Sequence, residues 1–351
     1  MNYQIKKNDC SNLEELITLS KSYYSTGDII DKRYLEWQYL KNPYGLPFLF
    51  TSKDTLTDQL AGQYLVIPLE YQISGEKLAG SLSLNTLTHP DHQGKGLFTK
   101  MAKATYADCE ASNNNFTIGF PNPLSYPGFV KKLNFSHLGD IPLLIKPLKP
   151  INILRSYFQK EKEKHGGEII LEQVSSKKNI HQLDFHNQTD ENKYNAFWNK
   201  IMSNYPISAN KDFKFLKWRY NDHPTKKYKV YYIENNGEID GVIILRAEHV
   251  WGFKVGLIMD FMTNEPSKNS KFLLKHASKI FKNLKLDFIT ALHTPIKEYN
   301  ILKKNNFYKI PQKLLPQKIH FIVRSNKKFN NEEMILKLEN WKLTFGDYDI
   351  F

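Results

Sequence analysis

The sequence predicts an α/β fold of the α+β kind, one unit written twice, and three observations carry the prediction. Small or polar residues interleave with Leu from Ser83 to Thr88, as in a half-buried strand, and the chain then reaches Gln93-Gly94-Lys95-Gly96. A helical pattern opens directly after that glycine loop, with Leu97, Met101 and Ala104 on one face. Finally, the second half repeats the first. Tyr34-Leu-Glu-Trp-Gln-Tyr-Leu-Lys-Asn-Pro43 matches Phe215-Leu-Lys-Trp-Arg-Tyr-Asn-Asp-His-Pro224, with Trp, Tyr and Pro in register. Gly62 finds Gly241, Leu87-Thr88 finds Met262-Thr263, and residues 116–135 find 288–307. Chance supplies any one of these matches but does not keep them all in order.

Each unit is therefore expected to be a mixed, twisted sheet flanked by helices. Residues 2–6 read as an edge strand. Residues 12–24 form an amphipathic helix, capped by Ser11 or Asn12, with Leu13, Leu16, Ile17 and Ser20 on one face. A second helix over 31–40 stops at Asn42-Pro43, because the residue before proline avoids the α region. Strands follow near 48–51, 62–68 and 78–88, then the loop helix to about Cys109 and a strand over 115–120. Pro121-Asn122-Pro123 turns the chain into a short helix over 124–133. A strand near 138–145 is expected to close this first unit. Residues 155–168, with Lys160-Glu-Lys-Glu-Lys164 and Gly166-Gly167, read as a solvated helix end or linker. Near the end, 332–338 reads as a short helix and 341–345 as a strand, and the aromatic ending from Gly346 is expected to pack back between the halves. The resulting division is 1–150, 151–325 and a tail of 326–351.

Composition narrows the class. A chain of 351 residues is long for one core and sufficient for two. Charged residues at 24% and aromatics at 13% fit a soluble globular protein rather than a disordered one. No apolar run approaches ~18 residues, and the first nine are polar, so neither a membrane span nor a signal peptide is expected. The two cysteines, Cys10 and Cys109, make no disulfide framework and point to a reducing cytoplasm. A formal charge of +13 favours an anionic partner such as coenzyme A, a nucleotide sugar or nucleic acid.

The glycine loop is where chemistry is expected. A helix N-terminus presents backbone N–H groups without partners, and its dipole favours negative charge. A Walker loop is excluded because Lys95 is followed by Gly96 rather than by Ser or Thr. A dinucleotide fingerprint is excluded because Thr99 stands where its last glycine belongs. In the second half the loop becomes Lys268-Asn269-Ser270-Lys271, with no glycine to let a backbone approach a diphosphate. One anion site is expected, in the first half.

Gln93-x-x-Gly96 after a strand resembles the pyrophosphate loop of the GNAT acyltransferases, Gln/Arg-x-x-Gly-x-Gly/Ala, with Phe98 replacing the final small residue. The phrase Leu87-Thr-His-Pro-Asp-His-Gln-Gly-Lys-Gly-Leu-Phe98, the repeated Trp-x-Tyr-x-x-x-Pro, and Trp341-Lys-Leu-Thr-Phe-Gly-Asp347 are similar to one bacterial subgroup. Its members are associated with surface-polysaccharide pathways and acylate nucleotide-linked amino sugars. The resemblance implies tandem GNAT folds, the second degenerate. It also implies an acyl-coenzyme A donor and a dTDP-linked amino-deoxyhexose acceptor, joined by direct attack in a ternary complex.

By the same resemblance the pyrophosphate lies on the backbone of Gln93, Gly94, Lys95, Gly96, Leu97, Phe98 and Thr99. Pantetheine runs along Leu87-Thr88, whose N–H polarises the thioester carbonyl, and the strand at 115–120 splays from 84–88 to admit it. Asn122 and Ser125 are candidates for the pantetheine amides, or serve as turn and cap. The family's usual acid is a Tyr at the position of Val130 in Phe129-Val-Lys-Lys-Leu-Asn-Phe135, which leaves Tyr126 as the substitute. The base stays open among His89, Asp347 and Asp349. Asn85 and its counterpart Asp260 are candidates for contact with the acceptor, Asp260 also as a buried structural group.

No metal is expected, since His89-Pro-Asp-His92 lacks a matching cluster. His186-Asn-Gln-Thr-Asp190 reads as accidental, and Trp37 and Trp218 as core anchors. The rival functions are an aminoacyl ligase on paired GNAT folds, a peptide or protein acetyltransferase, and a basic RNA-binding module.

Overall fold

Two mixed sheets of eight strands each organise the protein. The computed structural model describes residues 2–150, 166–172, 179–264 and 268–348. The Lys-Glu run at 160–164 and Asp349 lie outside those residues.

The first half runs β1 (Tyr3–Lys7), α1 (Leu13–Lys21), α2 (Lys32–Leu35), β2 (Phe48–Asp54), β3 (Leu60–Ile73), β4 (Glu76–Thr88), α3 (Leu97–Ala111), β5 (Phe116–Gly119), α4 (Tyr126–Lys132), β6 (Ser136–Asp140) and β7 (Leu143–Pro147). The second half begins with β8 (Gly166–Glu168), β9 (Ile180–Gln182), α5 (Gln188–Ile201), β10 (Ile207–Ala209) and α6 (Phe213–Leu216). It continues through β11 (Lys229–Asn235), β12 (Glu238–Val250), β13 (Phe253–Thr263), α7 (Lys268–Asn283), β14 (Phe288–Leu292), α8 (Lys297–Lys304), β15 (Tyr308–Lys309) and β16 (His320–Ser325). A short helix, α9 (Glu332–Ile335), leads into the tail. Local chemistry sets the helix starts. The Asn12 side chain accepts from the Glu15 N–H to cap α1, and Asp31 accepts from the Arg33 N–H to cap α2.

The strand expected over 138–145 is in fact two strands in different sheets. β6 pairs with β16 in the first sheet, whereas β7 pairs with β14 and β15 in the second. Pro142 has no N–H to continue a ladder, and the buried Ile141 donates to the Ile319 carbonyl as the chain crosses over. The first sheet reads β1-β2-β3-β4-β5-β16-β6, and the second β15-β7-β14-β13-β12-β11-β9. In addition β10 pairs with β3 in the first sheet and β8 with β12 in the second. The first sheet thus takes two strands from the other half of the chain, β16 between β5 and β6 and β10 against β3, and the second takes one, β7 between β14 and β15.

The repeat is visible in the pairing. Gly62 lies opposite Thr88 and Gly241 opposite Thr263. A Cβ on Gly62 would meet Met101 of α3 at 2.8 Å, and one on Gly241 would meet Leu273 of α7 at 3.1 Å. Both glycines therefore let a helix lie close on its sheet. α2 and α6 each run on into a π-helical turn, Glu36–Leu40 and Lys217–Asn221, that carries a tryptophan. Trp37 and Trp218 stack with centroids 5.0 Å apart and planes 18° apart. Each indole N–H donates to the other's main-chain carbonyl, at 2.7 and 3.1 Å. The two anchors are thus one reciprocal contact on the local twofold; one apolar cluster runs through both halves around it, and each half has a further cluster between its sheet and its long helix.

In the described part of the tail, 341–345 makes only single bridges, Trp341 to Ile207 and Thr344 to His293, rather than the expected strand. It lies between the sheets rather than joining either, which leaves no neighbour for a full ladder. A 3-10 turn, Phe345–Asp347, follows.

Candidate active site

A cavity of about 380 Å³ opens where β4 runs into α3. Its floor and rim come from Thr86, Leu87 and Thr88 at the end of β4 and from Gln93, Gly94, Gly96, Leu97, Phe98 and Thr99 of the loop. Asn122, Ser125 and Gly128 form the wall opposite. Gly94 and Gly96 have φ of +75° and +73°, and a Cβ at either would meet nothing within 4 Å. Conformation, not crowding, therefore demands glycine there, and the space beyond them is free for a ligand. Gly96 is the N-cap of α3, so the first N–H groups of a 15-residue helix face this space.

β4 and β5 separate beside it. Their parallel pairing runs from Gly80 with Phe116 to Ser83 with Gly119, while β4 continues to Thr88. Within that unpaired stretch β4 bulges against β3 between Leu84 and Leu87, with Asn85 at φ +50°. The His89 N–H donates to Ala61, so the alternation along a strand turns the Thr88 N–H to the opposite edge, the one β5 leaves open. β4 and β5 thus part beside the cavity, with the Thr88 N–H directed at the opened edge.

The other candidates fall as follows. Lys95 folds away from the cavity, its ammonium donating to Tyr3 Oη at 2.8 Å and to the Asp91 carbonyl at 3.1 Å. Phe98 packs edge-on against Tyr64 and Phe129, and a Cβ on Gly128 would meet its ring at 3.0 Å. The large residue in the loop is thus accommodated by a missing side chain on α4. Asn122 Oδ1 accepts the N–H groups of Leu124 and Ser125, at 3.0 and 2.9 Å, so that oxygen forms the turn into α4. Tyr126, next along the chain, is not among the residues lining the cavity; its ring packs against His320 at 4.5 Å and His137 at 5.3 Å between centroids. His92, rather than His89, reaches the cavity. Tyr23, Tyr24 and Lys132 also line it and escape the sequence reading. Adjacent exposed tyrosines just past a helix end were the available signal.

A second, narrow cleft of about 40 Å³ lies between the halves. Leu82 and Leu84 of β4 meet there with Trp37, Gln38, Trp218, Arg219 and His223, and the tail supplies Gly346, Asp347 and Tyr348. Burial, reinforced by Arg219, Arg246, Lys226 and Lys227, pushes the His223 imidazole down to about 2, so it is neutral at physiological pH. Asn85 donates to Gln38 Oε1 at 2.7 Å and to Tyr39 Oη at 3.0 Å, tying the β4 bulge to the cleft wall.

Asp260 is fully buried and accepts from Lys211 at 2.8 and 2.9 Å, Tyr220 at 2.6 Å and Thr344 at 2.8 Å. Against the penalty of burial, Lys211 and Lys342 hold its carboxyl well below the usual carboxylate range. Asp347 Oδ2 accepts from the same Lys211, at 2.9 Å, and from the Thr344 N–H at 2.8 Å. The counterpart of Asn85 is therefore the buried structural group of an ion network, and that network pins the tail in the cleft.

Residues 22–138 match the family model of an acetyltransferase (GNAT) domain. No curated protein matches the sequence. Solved structures similar to the whole chain include a probable N-acyltransferase from Enterococcus faecalis (11% identity, TM-score 0.61), covering 93% of this chain and 73% of that one. A GCN5-related N-acetyltransferase from Anabaena variabilis matches at 12% identity and TM-score 0.61, over the same shares of 93% and 73%. N-myristoyltransferase of Saccharomyces cerevisiae, solved with bound myristoyl-CoA, matches at 13% identity and TM-score 0.62 over 93% of this chain and 83% of that one. The chain is an α/β protein of tandem GNAT folds, with the acetyltransferase-domain match lying in the half that keeps the glycine loop.

Proposed function

We propose that the protein is an acyl-coenzyme A-dependent N-acyltransferase whose acceptor lies between the halves and presents its amine at the mouth of the narrow cleft. The observation that carries this reading is the joining of three features in one cavity: free amides at the start of α3, a splayed β4–β5 pair, and an unpaired Thr88 N–H. The domain match over 22–138 and the fold shared with an enzyme solved with an acyl-CoA support it.

In this mechanism the diphosphate rests on the amides after Gly94 and Gly96, and pantetheine follows the open edge of β4. The amine nitrogen attacks the thioester carbon, the carbonyl oxygen gathers charge against the Thr88 N–H, and the C–S bond breaks as the nitrogen gives up a proton to solvent, leaving an amide and a thiolate. The departing thiolate has a pKa near ~8.5, so its protonation needs little help. Tyr126 is the proposed proton donor. Asp347, fixed by Lys211 on the cleft wall, is proposed to orient the amine. The cleft touches Leu82 and Leu84, just ahead of the β4 bulge, which brings acceptor and donor to one strand.

For the acceptor we propose a nucleotide-linked amino-deoxy sugar, on the resemblance of the loop, the repeated Trp-x-Tyr-x-x-x-Pro and the ending Trp341 to Asp347. The net charge of +13 is compatible with two polyphosphate substrates. Thiol release measured over a panel of acyl donors, each with amino-sugar nucleotides or with peptides, tests both levels. Release that requires an amino-sugar nucleotide is expected. Release with peptides alone would replace the acceptor, and no binding of any acyl-CoA would remove the activity. In the same assay Tyr126→Phe is expected to lower turnover with donor affinity intact; full turnover takes Tyr126 out of the mechanism.

A further inference from the structure

The exchange of β16 into the first sheet builds a cluster that no stretch of sequence contains. His320 opens β16 and lies directly across from Asp140, the last residue of β6. His137, three residues before Asp140, would face the other side of a regular strand. A bulge intervenes, since Phe321 pairs with Gly139 but Ile322 pairs with His137, and Gly139 takes φ +144°. Bulges of this kind re-aim side chains. Here the result is that His137, Asp140 and His320 gather on one face, with one ligand atom of each within 4.8 Å of the others.

We propose that these three residues form a binding site for a divalent transition-metal ion of the zinc type, bridging the exchanged strand to the edge of the first sheet. The His137 Nε2–Asp140 Oδ1 separation is 3.4 Å, and His320 Nδ1 lies 2.6 Å from the same oxygen. Ligands at bond lengths of about 2.0–2.2 Å in tetrahedral geometry stand roughly 3.4 Å apart, so the first pair fits as it is. The second needs to open by less than about 1 Å, exchanging a hydrogen bond for a shared ion. Two imidazoles and one carboxylate suit zinc, cobalt, nickel or copper and disfavour magnesium or calcium, which take oxygen ligands.

The site is supported from behind. The Tyr126 ring packs on both imidazoles, and the rings of His137 and His320 stand edge-to-face at 5.1 Å. Such packing limits the rotamers available to the ligands, as a useful site requires. The competing cation is Lys318, whose ammonium lies 3.6 Å from Asp140 Oδ2 but is more than half exposed and screened by water. His137 is exposed and the other two half-buried, so an ion can reach the cluster from solvent, which would supply water as fourth ligand.

The test uses the full chain, stripped with chelator and titrated with Zn²⁺ against a chromophoric zinc indicator. One equivalent is expected to bind with micromolar or tighter affinity and to raise the melting temperature, because the ion joins two strands far apart in sequence. His320→Gln and His137→Gln are each expected to weaken binding at least tenfold and to abolish the thermal shift. Asp140→Asn provides a third variant should one histidine variant fail to fold. No zinc uptake by the wild-type chain, or equal uptake and equal shift in the folded variants, overturns the proposal.

Discussion

Gly96 is the residue at which backbone conformation and the proposed donor site meet. Its φ of +73° lets the chain turn from the loop straight into α3, and the absence of a Cβ leaves the amides open to the cavity. A side chain there meets no protein atom within 4 Å, so crowding plays no part; the left-handed backbone costs about 1–2 kcal/mol for a residue with a Cβ. Gly96→Val is therefore expected to leave the protein folded with a modestly lower melting temperature. Coenzyme A affinity is expected to fall at least a hundredfold in calorimetry. Unchanged affinity would show that the diphosphate rests elsewhere. Gly96 was legible in the sequence because its neighbours rule out the other glycine loops. Phe98 was legible only as a departure, since Gly128, which makes room for it, lies thirty residues away on α4.

At the scale of elements, the repeated Trp-x-Tyr-x-x-x-Pro marked the two equivalent helices, and the periodicity marked their extent. What the spacing did not give is their π-helical ends, since a single extra residue in a turn leaves no signature in polarity. Nor did it show that Trp37 and Trp218 meet each other. The tail is the clearest case of an element decided by contacts. Its aromatic content predicted packing, but nothing in the sequence marks Lys342 and Lys211 as the fully buried groups they are. They neutralise Asp260 and Asp347 inside the protein, and Arg219 adds donors to the Gly346 and Tyr348 carbonyls. Removing one partner of such a group strands the rest. Lys211→Met is expected to cost about 3–5 kcal/mol, because Asp260 and Asp347 lose their common cation without access to water. Urea denaturation measures this directly, and a loss below about 1 kcal/mol would mean the carboxylates find other partners.

Across the whole molecule, the duplication was readable but the exchange was not. A strand looks the same in sequence whichever sheet receives it, and only Pro142 marked the point where one strand becomes two. The consequence is that neither sheet is complete without residues from the other half: β16 separates β5 from β6, and β7 separates β14 from β15. The apolar core is likewise shared, and the Trp37–Trp218 contact is formed only when both halves are folded. Unfolding one half first would expose the edges of β5 and β6 in the first sheet, or of β14 and β15 in the second, together with half of the common core. Equilibrium unfolding is therefore expected to be a single transition, with far-UV circular dichroism and tryptophan fluorescence coincident. A fragment of residues 1–150 lacks β16 and keeps β7 with no sheet to join, so it is expected to aggregate or to show no cooperative transition. Two resolved transitions in the full chain, or a soluble 1–150 fragment with a native-like near-UV spectrum, would mean that the exchanged strands decorate the two folds rather than hold them together.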